Sequence, residues 1–204
     1  MRGVESYAIG YLTATVILSL MAPSIPQYSP PIHGFVLAGG LSTRMGTDKS
    51  TLTHAGKSFV DNALELLIKL GLQAVTVSND LRPGRGPLGG IETAFLQHPC
   101  EAGLFLPCDM PLLELETLQS LLSTYRQSRC PVVLKVSGQR PGFPFILPSN
   151  VLPQVTRQLD KNEFSLQKLF VELQPVYIEA VDSQSLMNVN TPLDYQVISN
   201  VQKS

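Results

Sequence analysis

Charge is scarce in this sequence. Only 15% of its 204 residues are Asp, Glu, Lys or Arg, against about 25% in an average globular chain. Disorder over most of the length is excluded, and a well-buried core is expected. Neither sign dominates: 15 Lys and Arg face 16 Asp and Glu, for a net charge of -1. The broad positive field that draws nucleic-acid backbone without regard to sequence is missing, so a general DNA or RNA binder is disfavoured. Cysteine is equally sparse. Cys100, Cys108 and Cys130 show no C-x-x-C spacing and no neighbouring His cluster, which excludes a disulfide framework and a zinc site. They read as small buried apolar residues of a reducing compartment, with the cytosol as the expected location. His33, His54 and His98 are scattered, and no Ser or Cys stands at a nucleophile elbow, so nothing points to acyl transfer.

What the chain does have is apolar residues, 44% of the total, in a length suited to one domain. Its first thirty residues stand apart. Tyr7 to Ala22 carries no charge, and Pro23, Pro26, Pro30 and Pro31 follow. Sixteen residues fall short of the roughly 20 that a membrane-spanning helix needs. A secretory signal is the rival reading, but Glu5 offsets Arg2 and the segment's end lacks an A-x-A cleavage pattern. Residues 1–31 are expected to be an extension and linker outside the fold, and residues 32–204 a single domain.

From His33 onward, strand-like and helix-like segments alternate. His33 to Ala38 is a short apolar run of the kind buried on both faces. Phe59, Val60, Ala63, Leu64, Leu67 and Ile68 recur at helical spacing before Gly71. Strands are expected at Ala74–Val77, Gly103–Leu106, Pro131–Val136, Phe143–Leu147 and Val176–Ala180, and helices at Leu88–Gln97, Leu115–Tyr125, Leu152–Leu159, Leu166–Leu173 and Thr191–Val201. The pattern predicts an α/β fold of three layers, Rossmann-like, with a mostly parallel sheet covered by helices on both faces. Ligands of such folds sit at the carboxyl ends of the strands. Four junctions therefore draw attention: Gly39 to Lys49, Asn79 to Gly90, Pro107 to Pro111, and Asn188 to Asp194.

The first junction reads Gly39-Gly40-Leu41-Ser42-Thr43-Arg44-Met45-Gly46-Thr47-Asp48-Lys49. Glycines let backbone N–H groups close around phosphate oxygens, and Arg44 and Lys49 supply two cations against a triphosphate. The string fits neither the Walker spacing nor G-x-G-x-x-G, which disfavours an ATPase or a dinucleotide dehydrogenase. In the third junction, Asp109 follows an apolar strand. Its carboxylate reads either as a ligand for Mg²⁺ shared with phosphate oxygens or as an acid at a helix N-terminus. Asn79 and Asp80 suit the N–H donors of a nucleobase, and equally an Asx turn before Pro83-Gly84. Asn188 and Asn190 have the alternate spacing that faces two side chains the same way, for binding or for a turn. Thr191-Pro192 and Asp194 read as the start of a helix.

Leu37-Ala38-Gly39-Gly40-x-Ser42-x-Arg44-Met45-Gly46-x-Asp48-Lys49 resembles the signature of the molybdenum cofactor guanylyltransferases, within the nucleotidyltransferase superfamily. Three further blocks resemble that family in the same order: Asp80 to Gly90, Cys108-Asp109-Met110-Pro111, and Asn188 to Asp194. The resemblance covers about residues 33 to 203. It implies a nucleotide-diphospho-sugar transferase-like fold and transfer of GMP from GTP to the terminal phosphate of Mo-molybdopterin. It further implies a nucleotide site at Leu37, Ala38, Gly39, Gly40, Lys49, Asn79, Asp80 and Asp109, with Mg²⁺ on Asp109. Asn188 and Asn190 would contact the second substrate, and Arg44, Lys49 and Asp109 would be catalytic.

The implied partners are GTP, Mo-molybdopterin, and proteins that deliver the pterin or accept the finished cofactor, with no nucleic acid and no membrane. An anionic phosphate acceptor needs no general base, so catalysis would consist of alignment and charge neutralisation. The chain departs from the family twice. About a dozen residues that relatives carry between the equivalents of Asn79 and Asp80 are missing. The arginine that relatives often place at the start of the helix near Phe164 is absent as well, with only Lys161 and Lys168 close by. A cytidylyltransferase for the same pterin and a non-catalytic nucleotide or pterin carrier are the alternatives. The second glycine of Leu37-Ala38-Gly39-Gly40 favours guanine over cytosine.

Overall fold

A computed structural model describes residues 31–39, 52–136, 138–180 and 184–201. Gly40, Arg44 and Lys49, and the extension up to residue 30, lie outside the described residues. Eight strands and six helices appear among those described. Strand β1 is Ile32–Leu37, followed by a small hairpin of β2 (Thr53–His54) and β3 (Lys57–Ser58). The hairpin has no apolar alternation to announce it. Helix α1 (Phe59–Lys69) starts where the Ser58 side chain accepts a hydrogen bond from the Asp61 N–H. It ends before Gly71, whose φ of 73° only glycine adopts freely. There follow β4 (Gln73–Val77), α2 (Pro87–Gln97), β5 (Ala102–Pro107) and α3 (Leu115–Ser128). The chain continues with β6 (Val132–Lys135), β7 (Gly142–Pro148), a 3₁₀ turn (Ser149–Val151) and α4 (Leu152–Asp160). Helix α5 (Leu166–Leu173), β8 (Val176–Glu179) and α6 (Pro192–Val201) complete it. Every strand and helix expected from His33 onward is present, with ends shifted by up to three residues.

The main sheet has six strands in the order β4-β1-β5-β7-β6-β8. All pairings are parallel except those of β7, which runs against both β5 and β6. The connection from β6 to β7 is too short for a crossover helix, so the chain can only turn back on itself there. Alternation along each strand splits the core into two layers. Phe35, Phe105, Val133 and Phe145 face α2, α4 and α5, while Val36, Leu104, Leu106, Val132 and Ile146 face α1 and α3. Phe35 and Phe105 stack with centroids 5.2 Å apart at the centre of the first layer.

The chain order β1, β4, β5 against the spatial order β4-β1-β5 reverses the winding at β1. Helix α1 covers one face of the sheet and α2 the other. The crevice between the carboxyl ends of β1 and β5 is thus the topological switch point, where open α/β sheets bind ligands.

Candidate functional site at the carboxyl rim

The described parts of all four junctions singled out in the sequence lie at this rim. Beyond β1 come Ala38, whose N–H bonds the Val77 carbonyl at 2.9 Å, and Gly39. Beyond β4 come Asn79, exposed, and Asp80, half-buried. The Asp80 carboxylate occupies a hollow made of glycine. A Cβ on Gly39 would lie 3.4 Å from it, one on Gly89 3.2 Å and one on Gly90 3.5 Å. A side chain at Gly89 would press on the carboxylate, while at Gly39 and Gly90 a Cβ would only reach contact with it. Burial pushes the Asp80 carboxyl above the usual carboxylate range, and among the described residues it forms no ion pair.

The β4–α2 loop that carries Asp80 is pinned at several points. The Leu81 N–H donates to Thr93 Oγ1 at 2.9 Å, and that hydroxyl donates to the Gly89 carbonyl at 2.8 Å. Arg82 reaches buried Glu92 at 3.0 Å and Asp160 at 2.5 Å, while Thr156 Oγ1 donates to Glu92 at 2.9 Å. Arg85 bonds Asn162 at 3.0 Å and lies over the Phe164 ring. These contacts to α4 and to the α4–α5 turn hold the loop in place. Gly86, at φ 60°, opens α2 without a side-chain cap.

Asp109 lies just past β5, half-buried. Its carbonyl accepts the Val189 N–H at 2.8 Å, which ties the C-terminal block to the β5–α3 loop. Val189 is fully buried against Phe59 and Ile198, whereas Asn188 and Asn190 on either side of it are exposed. The expected common facing of the two asparagines follows from that burial. Helix α6 begins as its sequence indicates: Asp194 Oδ2 accepts the N–H groups of Asn190 and Thr191 at 2.9 and 2.8 Å, and Thr191 Oγ1 accepts the Asp194 N–H at 3.2 Å.

Sequence reasoning missed Arg82, Arg85, Glu92 and Thr93. Glu92 had one legible signal, since an acid in an otherwise apolar helix needs a partner. Its partners lie ten and 64 residues away, beyond any local pattern. Lys168 pairs with Glu163 at 2.5 Å at the surface. One expectation is corrected. Of the cysteines, only Cys100 is buried, while Cys108 is half-buried and Cys130 exposed; Cys130 follows the end of α3, where no layer of the core covers it. A separate cleft of about 310 Å³ between the hairpin and α1 is lined by His54, Lys57, Glu65 and Lys69. Its lysines are both taken by Glu65, whose carboxyl their hydrogen bonds lower to about 2.

Among the described residues no group of three His, Cys, Asp or Glu could cage a metal. A hard cation shared with substrate phosphates asks for less, since Mg²⁺ commonly takes one or two carboxylates and completes its shell with phosphate oxygens and water. A single carboxylate at this rim, Asp109, with a substrate's phosphates as the other donors, fits that chemistry. No described helix is long and apolar enough to cross a membrane.

Residues 34–176 match the family model described as the MobA-like NTP transferase domain. A protein of Rhodopirellula baltica named probable molybdenum cofactor guanylyltransferase is 31% identical over 81% of this chain and 90% of its own length. One of the same name from Flavobacterium johnsoniae is 27% identical over 77% of this chain and 90% of its own. The crystal structure of molybdopterin-guanine dinucleotide biosynthesis protein A from Archaeoglobus fulgidus superposes with a TM-score of 0.68 at 20% identity, covering 84% of this chain and 98% of that one.

Proposed function

Because the chain belongs to the MobA-like NTP transferase family of nucleotidyltransferases, we propose that it moves GMP from GTP to the terminal phosphate of Mo-molybdopterin, releasing pyrophosphate. The observation that carries this reading is the meeting at one rim of Gly39, Asp80, Asp109 and the Asn188 to Asn190 block, four pieces far apart in the chain.

In this reading the guanine lies over Gly39, Gly89 and Gly90, with its N–H donors turned to Asp80 and Asn79. An acceptor there matches guanine, whose N1 and N2 both donate. Leu37, Ala38 and Gly40 would add contacts to the nucleotide. Arg44 and Lys49 hold the β- and γ-phosphates. Asn188 and Asn190 hold the pterin substrate in line with the α-phosphorus. An oxygen of the acceptor phosphate forms the new P–O bond as the bond from the α-phosphorus to the bridging oxygen breaks, and the electron pair leaves with pyrophosphate. The acceptor is already anionic near neutral pH, so no residue has to remove a proton. Asp109 would hold Mg²⁺, which when bound supplies charge neutralisation for the phosphates. The protein's own contribution is alignment and a fixed arrangement of donors. We place this activity in the cytosol, where unpaired thiols persist.

The test is product formation from GTP, Mg²⁺ and Mo-molybdopterin, followed by pyrophosphate release and by mass of the dinucleotide, with CTP as the parallel substrate. Dinucleotide from GTP and little or none from CTP is the expected result. Product from CTP alone would move the protein to the cytidylyltransferases, and tight binding without pyrophosphate would make it a carrier.

A further inference from the structure

The β4–α2 loop carries two arginines with opposite surroundings. Arg82 is answered by two carboxylates, Glu92 at 3.0 Å and Asp160 at 2.5 Å, so its charge is spent inside the protein. Arg85, half-buried, donates from Nη1 to the neutral Oδ1 of Asn162 at 3.0 Å, and its Cζ lies 4.8 Å from the centre of the Phe164 ring. Both of these contacts are to neutral groups. Among the described residues no carboxylate forms an ion pair with it. A guanidinium has five N–H donors in a rigid fork, and Asn162 uses one Nη1 donor.

The position adds to the argument. Arg85 immediately precedes Gly86, the uncapped start of α2, so the helix dipole adds positive potential beside it. It also bridges the loop that bears Asp80 to the α4–α5 turn. A cation that is held by neutral groups and forms no ion pair among the described residues is suited to receive an anion.

We propose that Arg85 is a phosphate-binding residue, its guanidinium set by Asn162 and Phe164 to take phosphate oxygens at the cleft between the β4–α2 loop and the α4–α5 turn. The inference rests on the nucleotidyl-transfer reading, which supplies two sources of that chemistry: the triphosphate of the nucleotide and the phosphate monoester of the acceptor.

The experiment compares the full-length protein with its Arg85→Gln and Arg85→Lys variants. GTP and inorganic pyrophosphate are titrated calorimetrically without acceptor, and Mo-molybdopterin is titrated without nucleotide. Loss of a charge-assisted, two-pronged contact should weaken one ligand by about 10- to 100-fold in Arg85→Gln, with Arg85→Lys recovering only part because an ammonium lacks the fork. Weaker GTP and pyrophosphate binding identifies the triphosphate as the source, and weaker Mo-molybdopterin binding identifies the acceptor. Unchanged affinity for all three overturns the proposal. Should Arg85→Gln fail to fold, Asn162→Ala decides: it leaves the cation in place but unset, and a smaller loss in the same ligand is expected, while no loss overturns the proposal. These titrations need no turnover, so a wild-type protein that binds but makes no dinucleotide would defeat the functional reading without deciding the role of Arg85.

Discussion

The two ends of the main sheet handle polar groups in opposite ways. At the amino rim, Glu101 accepts from the Tyr125 hydroxyl at 3.1 Å and pairs with Arg129, whose guanidinium in turn lies 6.0 Å from the Tyr125 ring. Burial and the Glu101 hydrogen bond push the Tyr125 hydroxyl up to about 12. The Glu101 backbone is engaged as well, its N–H with Pro31 at 3.0 Å and its carbonyl with the Ser149 N–H at 2.9 Å. At the carboxyl rim, Asp80 and Arg85 lie on one pinned loop, and among the described residues neither forms an ion pair. Groups that satisfy one another stabilise a fold and have little left for a ligand. Groups positioned but unsatisfied cost the fold something and are available for binding.

The largest effect that separates the rims is expected from Asp109→Ala. Turnover should fall on the order of 10²–10³-fold, followed as pyrophosphate release, while the thermal midpoint moves by no more than about 2 °C. A large fall in the midpoint would mean that Asp109 works as Glu101 does, and the contrast would fail. Glu101→Ala should do the reverse. It leaves the Tyr125 hydroxyl, in a side chain only 2% exposed, without its acceptor, and should cost about 1–3 kcal/mol in denaturant unfolding, with kcat/KM unchanged.

The smallest effect concerns the exception at the amino rim. His33 is buried, and its Nδ1 has no partner among the described residues. Burial first, and nearby His98 second, lower its pKa below the ordinary imidazole value. The folded protein therefore keeps His33 neutral while the unfolded chain takes up a proton. Stability that is present above about pH 6.5 should decline as the pH falls below that value and level off once the folded-state pKa is passed. His33→Leu should flatten that part of the stability profile, as seen in urea titrations between pH 7 and 5. An unchanged slope would assign the acid sensitivity to other groups.

Much of the layout was legible from the sequence because its signals are local. The uninterrupted apolar run around Phe35, the helical spacing from Phe59 to Ile68, and the Thr191-Pro192-x-Asp194 helix start each involve neighbours within a few residues, and each element formed where expected. The hairpin at Thr53 to Ser58 was not legible, since its four strand residues are mostly polar and its position depends on contact with distant Tyr195, whose hydroxyl donates to the Thr53 carbonyl at 2.8 Å. Asp80 was legible as a binding candidate, but its glycine hollow was not: Gly39 comes from another strand, and only the pairing of β1 with β4 brings it near.

The sequence by itself determined the alternation of strand and helix, the rim that carries the candidate site residues, and the residue types placed there, because these follow from short-range periodicity and from the chemistry of single side chains. Tertiary structure alone decided which charges cancel. Arg82 and Arg85 are three residues apart and chemically identical, yet one meets Glu92 and Asp160 and the other meets Asn162 and Phe164. Whether a charge is neutralised depends on groups within a few ångströms in space, and those groups lie on helices that packing, not chain proximity, brings to the loop.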